Sequence, residues 1–161
     1  MSKKYGYINL PSFYVDFNDR NGRRAATDIA TEIEKLKKEN IQGIILDLRN
    51  NGGGSLPDVV EMAGFFIKDG PIVQVKSRED QPYILSDRDS RIQYDGNLLI
   101  MVNSLSASAS EILAAAMQDY GRAVIVGSPA TYGKGTVQRI LELDDLVNRT
   151  YSEFKPFGAL R

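Results

Sequence analysis

The segment Gly43-Ile44-Ile45-Leu46-Asp47-Leu48 is a short, nearly continuous apolar run that leads into the glycine-rich stretch Arg49-Asn50-Asn51-Gly52-Gly53-Gly54. A run of this length and composition is typical of a strand that is buried on both faces of a sheet. The segments 96–102 and 123–126 are similar apolar runs. Together the three runs predict a core of buried strands.

Helical periodicity occurs between the predicted strands. From 23 to 39, apolar side chains recur at Ile29, Ile33 and Leu36, which is the spacing of an amphipathic surface helix. Two more helices are predicted at 57–68 and 107–120. Because buried strands alternate with helices, the sequence predicts an α/β fold, in which ligands bind beside the ends of the strands.

Shorter segments predict the remaining strands. They lie at 5–10, 13–17, 72–76, 83–85, 92–94, 136–143 and 151–154. The chain contains no internal repeat and no low-complexity segment. We therefore expect residues 1–161 to form a single domain.

The composition is that of one ordinary soluble domain. The 161 residues are 42% hydrophobic and 25% charged, with 20 basic residues against 21 acidic ones. A net charge near zero gives no electrostatic footprint for nucleic acid, so we expect no nucleic-acid partner. The chain contains neither cysteine nor histidine, which excludes disulfides, thiol nucleophiles and the common zinc and iron sites.

The two ends of the sequence suggest that it is part of something longer. The sequence has no signal peptide and no apolar stretch of about 18 residues, the length that spans a membrane. The last residues, 157–161, read as a turn that enters another strand. We therefore expect the chain to be an excised piece of a longer protein.

A run of serines between 106 and 110 contains a candidate nucleophile, Ser108, at the start of a predicted helix. A hydroxyl in this position lies close to unpaired backbone N–H groups and a partial positive charge, which suits acyl transfer. The N–H groups of Ala109 and of Gly53 or a neighbour of Gly53 would hold the oxyanion. The spacing Ser108-x-x-Glu111 also fits a capping box, and this motif alone favours a helix cap over catalysis.

A serine nucleophile in a chain without histidine needs another base, and Lys134 in Gly133-Lys134-Gly135 is the candidate. Burial would lower the pKa of the Lys134 amine towards that of a neutral base. Gln138 could orient the amine without raising its pKa as a carboxylate would. Taken alone, the Gly-Lys-Gly segment favours a solvated turn.

Three other motifs are excluded or interpreted as structural. The segment 127–135 is not a phosphate-binding loop, because five residues separate its first two glycines and no Ser or Thr follows the lysine. Asp47 and Arg49 predict a structural ion pair in preference to a metal site, because one carboxylate and two neighbouring amides form a poor cage. Asp119 and Arg122 predict a salt-linked helix end.

Taken together, these segments resemble the C-terminal processing peptidases, also called tail-specific proteases. The matching segments, in the family's order, are 5–13, 43–54, 102–112, 115–119 and 132–138. The resemblance implies the Clp protease/crotonase-like α/β fold. It also implies a serine endopeptidase that cleaves protein or peptide substrates near their C-terminal tails through an acyl-enzyme, without metal or cofactor.

By motif position, the resemblance implies a Ser/Lys dyad. Ser108 would be the nucleophile, Lys134 the general base and Gln138 the residue that positions the lysine. Ala109 and a glycine such as Gly53 would form the oxyanion hole. The supporting positions that recur in the family are matched by Glu111, Asp119 and Thr131.

The resemblance also bears on the whole protein. It implies a PDZ domain, for which this chain has no room, and action in the bacterial periplasm or cell envelope; it leaves the oligomeric state open. The segment Ser128-Pro129-Ala130 is one residue longer than the family's usual spacing. Three alternatives stay open: a crotonase-like enzyme acting on an acyl-thioester, a non-catalytic relative that binds peptides, and a catalytic core that is inactive without its PDZ domain and final strands.

Overall fold

The computed structural model describes residues 3–16, 19, 22–78, 81–138, 141–146 and 155–160. In chain order the elements are β1 (Gly6–Asn9), α1 (Ala25–Lys38), β2 (Gly43–Asp47), α2 (Leu56–Gly64), β3 (Gly70–Val75), β4 (Tyr83–Asp87), β5 (Asn97–Val102), α3 (Ala109–Asp119), β6 (Val124–Gly127), β7 (Leu141–Glu142), α4 (Leu143–Leu146) and β8 (Ala159–Leu160). The predicted α/β fold is confirmed.

Four strands form a parallel sheet in the order β1-β2-β5-β6. The register places Ile44 of β2 beside Leu98 of β5, and Ile100 of β5 beside Ile125 of β6. Because all four strands run in the same direction, their C-terminal ends lie at one edge of the sheet. The loops that follow β2, β5 and β6 therefore start side by side, and these loops carry the predicted site residues.

The three long helices cover one face of this sheet. Each crossover moves in the same direction across the strand order, which puts the connecting helices on the same side. On α1 the buried residues are Ala25, Ala26, Ile29 and Ile33, which form the predicted apolar face. Helices α2 and α3 and the turn after α2 contribute the fully buried side chains of Met62, Phe66, Leu113 and Met117.

The opposite face of the sheet is less covered. Ile45, Leu99 and Val124 lie in one row across β2, β5 and β6, and the side chain of Val124 is 63% exposed. The strand predicted at 123–126 is confirmed as β6, but its predicted place in the core is wrong, because β6 is an edge strand among the described residues. An apolar composition does not reveal whether a strand has neighbours on both sides.

A second, two-stranded antiparallel sheet is formed by β3 and β4. It contacts α2 and α3. The Tyr120 hydroxyl, just after α3, donates to the Pro71 carbonyl of β3 at 3.0 Å. No helix in the described part of the chain is both long and apolar enough to cross a membrane.

The described part of the predicted strand 13–17, residues 13–16, does not belong to a sheet. Phe13 forms only an isolated bridge with Gly54, and Val15 forms another with Arg24. The Phe13 N–H donates to the Gly53 carbonyl at 2.9 Å, and the Phe13 carbonyl accepts the Ser55 N–H at 2.7 Å. Phe13 thus pairs with the glycine-rich loop, and this pairing replaces a place in a sheet.

Three other element predictions differ from the structure. The segment 92–94 is not a strand, because its N–H groups at Gln93 and Tyr94 both donate to the Phe65 carbonyl. Of the described residues in the predicted strand 136–143, residues 136–138 are irregular, and residues 141–143 form β7 and the start of α4. The predicted helix 57–68 ends at Gly64 in tighter turns that bury Phe66. The strand predicted at 151–154 lies outside the described residues.

Candidate active site

The loops at the C-terminal edge of the parallel sheet enclose a cavity of about 450 Å³. All five predicted site residues line it, namely Gly53, Ser108, Ala109, Lys134 and Gln138. The remaining lining residues are Gly52, Gly54, Leu56, Ile112, Thr136 and Val137. The parallel topology therefore brings together three segments that are far apart in the sequence.

Ser108 is the residue at which the loop after β5 turns into α3. Its backbone has a φ of 56° and a ψ of −114°, a left-handed conformation that residues with a side chain rarely adopt. Strain of this kind costs about 1–3 kcal/mol and concentrates at functional sites. This strain could not be predicted from the sequence, because the Ser-Ala-Ser-Ala pattern is compatible with ordinary backbone angles.

The neighbouring serines have structural roles. The Ser106 hydroxyl donates to the Leu48 carbonyl at 2.8 Å, and the Ser110 hydroxyl donates to the Asn51 carbonyl at 3.0 Å. Both residues are completely buried. They bind the loop after β5 to the loop after β2, and of the three serines only Ser108 lines the cavity.

The glycine-rich loop is shaped by Asn51, which is completely buried. Its side chain donates to the Leu10 carbonyl at 2.8 Å and accepts the Gly53 N–H at 2.9 Å. Gly53 has a φ of 99°, and a Cβ atom there would lie 2.8 Å from the Cβ of Ser108. Only glycine allows this close approach of the loop to Ser108.

Among the backbone N–H groups of the cavity, those of Ala109 and Gly54 form no hydrogen bond with a described residue, whereas the N–H of the predicted donor Gly53 bonds to Asn51. The Gly53 carbonyl points towards Phe13, and in a trans peptide the next N–H points the opposite way. The Gly54 N–H therefore points away from Phe13, and Gly54 lines the cavity.

Glu111 joins the start of α3 to the lysine loop. Its Oε2 atom accepts the N–H of Ser108 at 2.7 Å, as the capping-box spacing predicts, and the N–H of Lys134 at 2.9 Å. Its Oε1 atom accepts the Thr131 hydroxyl and the Gly133 N–H, each at 2.6 Å. Partial burial raises the pKa of Glu111, but these four hydrogen bonds outweigh burial and leave the pKa below its ordinary value of 4.5.

The Lys134 side chain is half-buried in the same cavity as Ser108. No hydrogen bond joins its amine to the Ser108 hydroxyl or to another described residue. Gln138 is exposed at the cavity rim. The structure thus gathers the predicted dyad in one cavity and fixes the backbone of Lys134, whereas the hydrogen bond between the two side chains is not formed.

The predicted structural ion pair between Asp47 and Arg49 is confirmed. Arg49 donates to the buried Asp47 carboxylate through Nε at 2.9 Å and through NH2 at 2.7 Å. The Tyr7 hydroxyl donates to the same carboxylate at 2.6 Å. The hydrogen bonds from Arg49 hold the pKa of Asp47 far below its ordinary range, and the pair fixes the start of the glycine-rich loop.

The salt link predicted between Asp119 and Arg122 is wrong. The Arg122 guanidinium turns inward and donates to the backbone carbonyls of Phe66 at 2.8 Å, Tyr94 at 2.9 Å and Gly96 at 2.7 Å. Burial of the guanidinium lowers the pKa of Arg122. Sequence spacing could not show that three unpaired carbonyls from distant segments compete with Asp119 for this side chain.

Comparison with known proteins gives consistent matches. The model of "Peptidase family S41" matches residues 4–156. The tail-specific protease of Haemophilus influenzae is 41% identical over 159 residues, which is 99% of this chain and 21% of that protein. The chloroplastic carboxyl-terminal-processing peptidase 2 of Arabidopsis thaliana is 39% identical over 145 residues, which is 89% of this chain and 26% of that protein.

Solved structures give the same result for the fold. A photosystem II D1 C-terminal processing protease superposes with a TM-score of 0.72 and 33% identity, covering 88% of this chain and 34% of that one. These matches confirm the predicted Clp protease/crotonase-like core. The chain spans between about a fifth and a third of the length of the curated relatives it matches.

Proposed function

This chain belongs to peptidase family S41, and from that premise we propose that it is the catalytic core of a C-terminal processing serine endopeptidase. Its substrates are proteins that it cleaves near their C-terminal tails. The observation that carries the proposal is the single cavity that holds Ser108, Lys134 and the free N–H groups of Ala109 and Gly54. Such a cavity contains a nucleophile, a base and oxyanion donors.

The reaction begins when the neutral Lys134 amine takes the proton of the Ser108 hydroxyl. The Ser108 oxygen attacks the carbonyl carbon of the scissile peptide bond and forms a tetrahedral intermediate. The C–N bond then breaks, and the lysine ammonium gives its proton to the leaving amine. Lys134 next deprotonates a water molecule, which attacks the acyl ester, and the lysine ammonium returns that proton to the Ser108 oxygen as the ester bond breaks.

Backbone donors stabilise the negative charge of the intermediate. The Ala109 N–H lies at the N-terminus of α3, where the helix dipole favours an anion. Gly54 supplies the second donor, in place of Gly53, whose N–H bonds to Asn51. Loss of one such donor costs about 2.7–4 kcal/mol of transition-state stabilisation.

A side-chain movement of Lys134 completes the dyad. Its backbone is held by the hydrogen bond from its N–H to Glu111, and we propose that a change in its side-chain torsions brings the amine to the Ser108 hydroxyl. Gln138, on the same cavity, orients the amine in that position. Catalytic hydrogen bonds are often long before substrate binds, and the present geometry fits such a resting arrangement.

The proposal extends to the complete protein. We place it in the bacterial periplasm or cell envelope, and we assign substrate delivery to a PDZ domain outside residues 1–161. Extended substrate tails would pair with a strand edge beside the site. The relatives' names refer to processing of protein C-termini, and this supports the same substrate class here.

Proteolysis of an unfolded protein and of a tailed peptide tests the proposal, with the native protein that carries this chain. We expect Ser108→Ala to abolish cleavage, and Lys134→Ala to reduce kcat by about 10²–10⁴-fold, the usual contribution of a general base. Ser104→Ala and Lys68→Ala are matched controls, because both residues are exposed and lie outside the cavity. Undiminished cleavage by either site variant would contradict the proposal.

A further inference from the structure

A second cavity, of about 440 Å³, opens from the candidate active site and runs along α3. It shares Ser108 and Lys134 with the first cavity and reaches Asp119, the last residue of α3. Apolar side chains of α3 and β3 line its length, including Ile112 and Ile72. The reacting hydroxyl and a carboxylate thus lie at the two ends of one apolar groove.

The resemblance implies a supporting role for Asp119, but no contact with a described residue accounts for its acidic side chain. It is exposed, and its carboxylate forms no hydrogen bond or ion pair with a described residue, because Arg122 turns inward. The C-terminus of a helix carries a partial negative charge, so an anion in this position is unfavourable. A carboxylate that the fold leaves unpaired in an unfavourable position is available to a ligand.

The walls of the groove suit an extended chain. Within the described residues, β3 pairs only with β4, so the second edge of β3 has backbone groups that a bound strand could pair with. The eleven residues of α3 span on the order of 16 Å at ~1.5 Å per residue. An extended peptide covers that distance in about five residues, at roughly 3.3 Å each.

We propose that this groove binds the substrate polypeptide and that Asp119 selects a basic side chain, Lys or Arg, about five residues from the scissile bond. The inference rests on the proposed peptidase function and adds a specificity-determining residue to it. Away from the end that holds Ser108 and Lys134, Asp119 is the one unpaired charged residue in the described lining of the groove. Because its carboxylate is negative, the complementary group of the ligand is a positively charged side chain. A solvated pair of this kind changes affinity by about two- to fivefold.

Binding to the Ser108→Ala variant tests this inference without requiring hydrolysis. The probes are unstructured fluorescent peptides in sets of three, whose members carry Lys, Gln or Glu at one position and are otherwise identical. Each set places that position at a different point along the peptide. We expect anisotropy titrations to give about two- to fivefold tighter binding for Lys than for Gln at one position. The difference should shrink at high salt, because exposed charges are screened.

Second-site variants assign the preference to one carboxylate. In the Ser108→Ala background, Asp119→Asn should remove the Lys preference and Asp119→Lys should reverse it in favour of Glu. Asp95→Asn, an exposed carboxylate outside the groove, should leave it intact. Equal binding of the Lys, Gln and Glu peptides, absence of peptide binding, or a Lys preference that survives Asp119→Asn would overturn the inference.

Cleavage by the wild-type protein separates this inference from the proposed function. Mass spectrometry of the products locates the scissile bond and the distance from it to the preferred Lys. Cleavage with no charge preference overturns the role of Asp119 and leaves the peptidase proposal standing. A Lys preference that depends on Asp119, in a protein that cleaves nothing, supports the groove and overturns the peptidase.

Discussion

Glu111 Oε2 accepts the backbone N–H of Lys134 at 2.9 Å. The same oxygen accepts the N–H of Ser108 at 2.7 Å. One carboxylate therefore sets the distance between the backbone of the proposed nucleophile and that of the proposed base. These hydrogen bonds hold the backbone of the lysine loop beside the start of α3.

Replacing Glu111 by Gln tests this coupling. An amide keeps one acceptor oxygen but presents an NH₂ group to two of the four donors, so the lysine loop should detach from α3. Hydrogen bonds to a charged group contribute about 1.5–3 kcal/mol, and we expect kcat/KM for peptide cleavage to fall about 10- to 100-fold. Glu32→Gln is the control, because among the described residues Glu32 forms only an exposed pair with Lys35. Equal activity of the two variants would show that the coupling is unimportant.

Backbone strain at Ser108 leads to a prediction about stability. Its φ of 56° costs little for glycine and about 1–3 kcal/mol for a residue with a Cβ atom. The variants Ser108→Gly and Ser108→Ala both lack the hydroxyl, so they differ mainly in backbone strain. After subtraction of the extra entropy that glycine loses on folding, Ser108→Gly should be more stable than Ser108→Ala by about 1 kcal/mol. Urea denaturation measures the difference, and an alanine variant as stable as the glycine variant would argue against strain.

The glycine-rich loop offers a matched pair of substitutions. A Cβ atom at Gly53 would lie 2.8 Å from both the Ala107 carbonyl oxygen and the Ser108 Cβ, whereas at Gly52 it would meet nothing within 4 Å. Gly53→Ala should displace Ser108 and reduce kcat/KM by about 10²-fold, as misplacement of a reacting group by an ångström does. Gly52→Ala should retain most of the activity. A reversed order of the two variants would contradict the loop geometry.

Acid stability should depend on Asp47. Hydrogen bonds from Arg49 hold its pKa far below the ordinary value of 3.8. Because the pKa of Asp47 is lower in the folded state than in the unfolded state, its carboxylate stabilises the fold fully at pH values above the unfolded-state pKa of about 3.8. This stabilisation is lost as the pH falls below about 3.8 towards the folded-state pKa. Urea titrations between pH 7 and pH 2 should show a shallower acid decline for Asp47→Asn than for the wild type. Parallel curves would exclude a contribution from Asp47.

Local patterns in the sequence were enough to predict most of the fold. The apolar run from 43 to 48 became β2, and the 3.6-residue periodicity from 23 to 39 became α1. Parallel strands bring their C-terminal ends together, and so the shared cavity of Ser108 and Lys134 could be anticipated from topology. The exposed edge position of β6 could not be predicted, because it depends on which strands neighbour it.

The details of the site depend on contacts between distant residues. Glu111 reaches a loop 20 to 23 residues further along the chain, and no spacing rule predicts that contact. The Gly53 N–H donates to the Asn51 side chain, so the second free N–H group assigned to the oxyanion is that of Gly54 and not that of Gly53. Arg122 likewise bonds to three carbonyls from other segments, and this leaves Asp119 unpaired in the groove.

The central claim is that Lys134 activates Ser108 as a nucleophile. The most direct measurement is the rate at which a fluorophosphonate, an electrophile for activated serines, labels Ser108, followed by intact-protein mass spectrometry and peptide mapping. We predict a single adduct at Ser108 in the wild type and labelling that is slower by about 10²-fold or more in Lys134→Ala. An adduct elsewhere, or an unchanged rate at Ser108 in Lys134→Ala, would contradict the claim.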